Sequence, residues 1–154
     1  MKGQTAVEYL MTYGWAILII LIVAGVLAYY GIFAPSGFLG PSLKGFSSIY
    51  VITPWDFNSA GALKLRVENR VGSEVNVTKI FFNSNTGGTN YSLSPQLTVA
   101  AGTQSNFIQA TGGPTGNTGT TYSISVSIEY CLTSVGCTGT NLFNSTGTLT
   151  GTRS

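Results

Sequence analysis

The sequence predicts an α+β chain, in which a long N-terminal hydrophobic α-helix is followed by an antiparallel, Ig-like β-sandwich of about seven strands. Three observations carry that prediction. The 25 residues from Tyr9 to Phe33 are strongly apolar and uncharged. The next stretch, "APSGFLGPSLKG" at 34–45, is rich in Pro and Gly and reads as a helix terminator and linker. Beyond it, short alternating runs are separated by Gly, Asn and Ser clusters, the pattern of an antiparallel sandwich.

The helix comes first. After Glu8 the next charge is Lys44, 35 uncharged residues later. At about 1.5 Å per residue the apolar run reaches roughly 37 Å, more than the ~30 Å of a hydrocarbon core. Tyr9, Tyr13 and Trp15 lie near one end, and Tyr29, Tyr30 and Phe33 near the other, as bilayer interfaces favour. The run is too long for a secretory signal and shows no small-residue exit before Pro35. Lys2 keeps the short N-terminal side cytoplasmic and sends the C-terminal part outside. Gly14, Ala16, Ala24, Gly25 and Ala28 offer small patches for close helix approach.

The strands follow. "ALKLRVENR" puts Leu63, Leu65 and Val67 on one face and Lys64, Arg66, Glu68 and Arg70 on the other. "VGSE" (71–74) is expected to be a hairpin turn into "VNVTKIFF". The clearest strand, "YSISVSIEY", turns Ile124, Val126, Ile128 and Tyr130 inward and Ser123, Ser125, Ser127 and Glu129 outward. A sandwich over 46–154 is large enough to bury an adequate core. Cys131 and Cys137, six apart at the end of that strand, are expected to form a disulfide in an extracellular domain.

The composition also excludes functions. The chain has no His, which removes the commonest general base and metal ligand. No Ser is followed three residues later by Lys, and "GGPTG" (112–116) lacks the Lys-Ser/Thr of a phosphate loop. Two Cys without His make no zinc site. No enzyme, cofactor or metal is expected. Net charge is +2, too small to indicate a nucleic-acid partner. Three N-x-S/T sequons occur, at Asn76, Asn90 and Asn144, against about 2.3 expected by chance from ten Asn and 36 Ser/Thr in 154 residues. The motif is therefore not enriched. Asn90 and Asn144, flanked by loop-like residues, are better candidates for N-glycosylation than Asn76 in its strand. From Ile80 to Ile128 no residue is charged, which leaves a Thr/Ser/Asn/Gly surface for subunit packing, sugar decoration or adhesion, or simply an outer surface tolerant of salt or acid.

"KGQTAVEYL" explains Glu8. It resembles the junction of archaeal type IV prepilins, the class III signal peptide group, in its basic residue, Gly, Gln and a Glu four places on. The resemblance covers about the first 30 residues. It implies a leader of residues 1–3, cut between Gly3 and Gln4 by a prepilin peptidase, and a membrane and polymerisation helix over 4–33. It further implies that Gln4 and Glu8 act in assembly, the Glu8 carboxylate pairing with the amine of a neighbouring copy. The partners are then the chain itself in a helical homopolymer, the membrane for the precursor, and an adhesion receptor. The expected location is an extracellular filament at the cell surface. The alternatives are a monomeric surface protein tethered by an uncut helix, or a minor pilin.

Overall fold

Twenty-six residues form one uninterrupted helix, α1 (Gln4–Tyr29). The run holds no Pro, and the two Gly inside it, Gly14 and Gly25, cost only about 1 kcal/mol each relative to Ala. A methyl group built on either would meet nothing within 4 Å, so packing inside the chain does not require them. Apart from half-buried Ala24 and Leu27, the side chains from Ala6 to Tyr30 are exposed. The computed structural model describes residues 4–30, 40–83 and 89–154. The expected helix end at Phe33, linker residues 34–39 and leader residues 1–3 lie outside them.

The chain divides into two units, Met1–Gly40 and Pro41–Ser154. Among the described residues the second holds eight strands: β1 (Ser42–Lys44), β2 (Ile49–Phe57), β3 (Leu63–Asn69), β4 (Val75–Phe82), β5 (Asn90–Val99), β6 (Ile108–Ala110), β7 (Thr121–Leu132) and β8 (Phe143–Thr152). They form a five-stranded sheet, β1-β8-β7-β4-β5, and a three-stranded sheet, β2-β3-β6. Every strand pair is antiparallel. The α+β layout is as the sequence predicts, with eight strands where about seven were expected. Ser42–Lys44, assigned from sequence to the linker 34–45, is a strand paired to β8 at Thr150, Leu149 and Thr148. Three residues are too few to show a period, so only the partner strand reveals it.

Alternation decides what is buried. Leu63, Leu65 and Val67 of β3 are fully buried, with Lys64 exposed between them. Val51 and Phe57 join them from β2, and Ile80, Phe82, Val126, Ile128 and Leu149 from the larger sheet, in one apolar cluster. Each such side chain contributes roughly 1.5–3 kcal/mol on leaving water. The Ser145 hydroxyl adds a polar clasp between the sheets, donating to the Ile49 carbonyl (3.0 Å) and accepting from its N–H (3.3 Å).

Two expectations need correction. "VGSE" is not a hairpin turn, because β3 and β4 belong to different sheets and the segment crosses between them. Fully buried Asn69 holds the crossing. Its Nδ2 donates to the carbonyls of Ser73 (2.7 Å) and Val99 (2.9 Å), and its Oδ1 accepts the Val71 N–H (2.9 Å). The carbonyls and N–H that a hairpin ladder would satisfy are met instead by one side chain. The outward face of β7 is also less open than its Ser and Glu residues imply: Ser127 and Glu129 are buried. β7 lies between β4 and β8, whose side chains cover it. The Ser127 hydroxyl lies 3.0 Å from that of Thr146. Thr78 Oγ1 donates to Glu129 Oε1 (2.7 Å), and Lys79 Nζ is 3.5 Å from the same oxygen. A register shift between Val77 and Lys79 allows two successive residues of β4 to reach one carboxylate.

Replacing Asn69 by Ala removes the side-chain partner of the buried Val99 carbonyl and of the part-buried Ser73 carbonyl and Val71 N–H. Asn69→Ala is expected to lower unfolding free energy by about 3 kcal/mol, read from the urea midpoint of the detergent-solubilised chain. Exposed Asn106→Ala should stay within about 0.5 kcal/mol of the unsubstituted protein.

Candidate assembly helix and surface sites

α1 places Glu8 at its fifth residue, exposed, among apolar neighbours. The first turn contains no acidic residue, so Glu8 opens the second turn instead of lying within the first. It stands four residues from Gln4, which brings its position onto the same side of the helix, one turn further along. Gly3 is outside the described residues, and Gln4 is placed only as the first residue of the helix. The hydroxyl of Thr12 donates to the Glu8 backbone carbonyl (2.9 Å) and leaves the carboxylate itself free of that bond. Tyr9 and Tyr13, also one turn apart, bring their ring centroids within 4.1 Å. Further along, Gly14 lacks a side chain between Leu10 and Leu18. The resulting notch of about 220 Å³ is lined by Leu10, Met11, Gly14, Trp15 and Leu18.

The other sequence candidates lie on the larger sheet. Cys131, near the end of β7, is disulfide-bonded to Cys137 in the β7–β8 connection, with Cα atoms 5.2 Å apart. Asn90 is the first residue of edge strand β5 and is exposed. Asn144 is the second residue of β8 and exposed, at a level where β1 does not reach, since β1 pairs only with Thr148–Thr150. Both are strand residues, although their flanks read as loops. Asn76 is different. It sits half-buried in β4, between β5 and β7, and its Oδ1 accepts from Thr98 Oγ1 (2.7 Å). Thr78, which completes that sequon, is buried, with its hydroxyl given to Glu129.

A cluster on the smaller sheet escaped the sequence reading. Lys64 Nζ lies 4.8 Å and Arg66 Cζ 5.1 Å from the centroid of the Phe107 ring. Arg70 Cζ stacks 3.8 Å from Tyr50 and its Nη2 is 3.3 Å from Glu68 Oε2. The alternation of β3 foretold that these cations share a face. Their aromatic partners come from β2 and from just before β6, about 40 residues away for Phe107, and no local pattern announces them. Beside Lys64, a hollow of about 200 Å³ is lined by Pro54, Trp55, Asp56, Lys64 and Phe107. Buried Trp55 is fixed from within by donating its indole N–H to the Tyr122 hydroxyl (3.0 Å). Burial pushes the Tyr122 phenol above the ordinary value of 10.0; the Trp55 hydrogen bond opposes the rise, the charge of Asp56 adds to it, and that of Arg153 opposes it. Among the described residues no group of three or more His, Cys, Asp or Glu could hold a metal ion.

No known protein-family model matches the chain, and no curated protein matches it in sequence.

Two outcomes follow from these positions. A phenol whose folded pKa is raised favours the folded state fully below pH 10.0, and that contribution is lost as the pH rises through the higher folded value. Alkaline titration of stability should therefore fall more steeply above pH 10.0 than in Tyr122→Phe, which has no phenol to ionise there. In a host that modifies N-x-S/T, glycopeptide mass spectrometry should find glycan on exposed Asn90 and Asn144 and none on Asn76, which is half-buried and whose partner Thr78 is buried.

Proposed function

We propose that the chain is the structural subunit of a pilus-like surface filament of the archaeal type IV pilin kind, polymerising through α1 and serving adhesion. One observation carries this reading: a 26-residue helix, exposed and apolar on all sides, has a single carboxylate near its N-terminal end. Such a helix needs lipid or copies of itself around it. The prepilin-like opening supplies the sequence of events. The precursor is held in the membrane, a peptidase cuts between Gly3 and Gln4, and the new amine at Gln4 is offered to the growing end of a filament.

Glu8 then acts as the registering group. An unpaired carboxylate among apolar helices costs several kcal/mol, while one that meets the Gln4 amine of a neighbouring copy recovers most of that cost. A subunit inserted one turn out of place leaves both groups unpaired. The notch at Gly14 receives an apolar side chain of the next helix, so the glycine, unneeded within its own chain, has its use in the polymer. The Pro41–Ser154 unit forms the filament exterior, and two sheets around one core support reading it as an Ig-like sandwich. The disulfide next to β7 suits that extracellular setting.

The test is made on protein sheared from the cell surface. Its N-terminal residue and intact mass should show a chain beginning at Gln4 in the high-molecular-weight fraction. A chain that begins at Met1 and stays in the membrane would establish a tethered surface protein instead. A Gln4 chain present at a few copies per filament would indicate a minor pilin. Glu8→Gln should still be cut yet lower filament yield at least about tenfold, the equivalent of about 1.4 kcal/mol per contact; normal filaments would remove Glu8 from the assembly role.

A further inference from the structure

The charge of the Pro41–Ser154 unit is unevenly spread. The 49 residues from Ile80 to Ile128 carry none, whereas β3 alone brings Lys64, Arg66 and Glu68 to one face, with Arg70 next in sequence. Glu68 is matched by Arg70 at 3.3 Å. Asp56 and Lys64 stand opposite each other in the β2–β3 register without closing to an ion pair among the described residues. Lys64, Arg66 and Asp56 therefore keep hydrogen-bonding capacity for something else. Between the two cations the ring of Phe107 is left 52% exposed. The hollow beside it has Pro54, Trp55 and Phe107 as apolar walls, with one carboxylate and one ammonium at its rim.

We propose that this hollow binds one acidic sugar unit of a surface polysaccharide. A space of about 200 Å³ suits a single pyranose ring. Ring faces, negative at their centres, attract the C–H groups of a sugar face. Asp56 accepts from sugar hydroxyls, while Lys64 and Arg66 bind the sugar carboxylate through charge-assisted hydrogen bonds. A few placed polar groups around apolar walls are the usual anatomy of a small-ligand site. A second copy of the chain is the poorer occupant, because its long uncharged stretch offers no acidic surface to complement these cations. The site lies wholly on the smaller sheet and its rim.

The test uses the full chain in detergent micelles carrying Trp15→Phe, which leaves Trp55 as the sole indole. D-Glucuronic acid, D-glucose and sodium sulfate are titrated at constant ionic strength while Trp55 fluorescence is followed. Glucuronic acid should give a saturable response, and glucose and sulfate should each bind at least about tenfold more weakly. Phe107→Ala and Lys64→Gln should each weaken glucuronic acid by about tenfold, whereas Phe143→Ala, an exposed ring on β8, should leave it unchanged. Circular dichroism of each variant establishes that it is folded, and Lys64→Gln keeps the length of the side chain. No saturable response would overturn the proposal. Sulfate binding as well as glucuronic acid would reduce the site to a simple anion contact, and glucose binding equally would remove the role of the cations.

Discussion

The apolar surface of α1 is the constraint that decides what must surround this protein's N-terminal helix. Its exposed side chains include nearly every residue from Val7 to Tyr30, and water is a poor surrounding for all of them. At about 25 cal/mol per Å² of apolar area, leaving such a helix in water would cost more than a domain's whole stability. Lipid and a sheath of like helices both remove that cost. Lipid tolerates Glu8 only near its boundary. A bundle tolerates it wherever a positive partner arrives.

The Pro41–Ser154 unit meets a different constraint, the pairing of interior polar groups, which among the described residues leaves the buried Arg66 Nε without a partner. Its apolar residues alternate and close over one cluster, but alternation alone does not say how strands connect. Asn69 does so here by taking up two carbonyls and an N–H at the crossing from one sheet to the other. Ser145 performs a related task on the opposite strand edge, where its hydroxyl bridges both backbone groups of Ile49. With so few charges available, neutral side chains and hydroxyls supply most of the interior polar contacts. Glu129, the buried carboxylate of β7, is itself satisfied by a Thr hydroxyl and an adjacent ammonium.

The scarcity of charge also gives meaning to where the remaining charges sit. Lys64, Arg66 and Arg70 each lie against an aromatic ring, an arrangement that retains the positive charge while lowering its freedom. The two broad faces of the unit are thus chemically distinct: one is largely hydroxyl and amide, the other aromatic and cationic. A filament surface built from such units would repeat that contrast at every subunit.

By itself the sequence determined the helix, the inward faces of β3 and β7, and the Cys131–Cys137 pairing, because each follows from a continuous apolar run, a period or a spacing local in the chain. It also singled out Glu8, since a carboxylate beside an apolar run is visible without any structure. Only the tertiary structure decided that Ser42–Lys44 is a strand, that "VGSE" crosses between sheets, and that Ser127 and Glu129 are covered. The three sequons separated in the same way: equal as tripeptides, they differ in whether neighbouring strands cover the Asn and its partner hydroxyl. The meeting of Phe107 with Lys64 and Arg66 belongs to this second group as well. The reason is physical: a residue's period reports which face it occupies, whereas its burial and its partners are set by strands that lie far away in the chain.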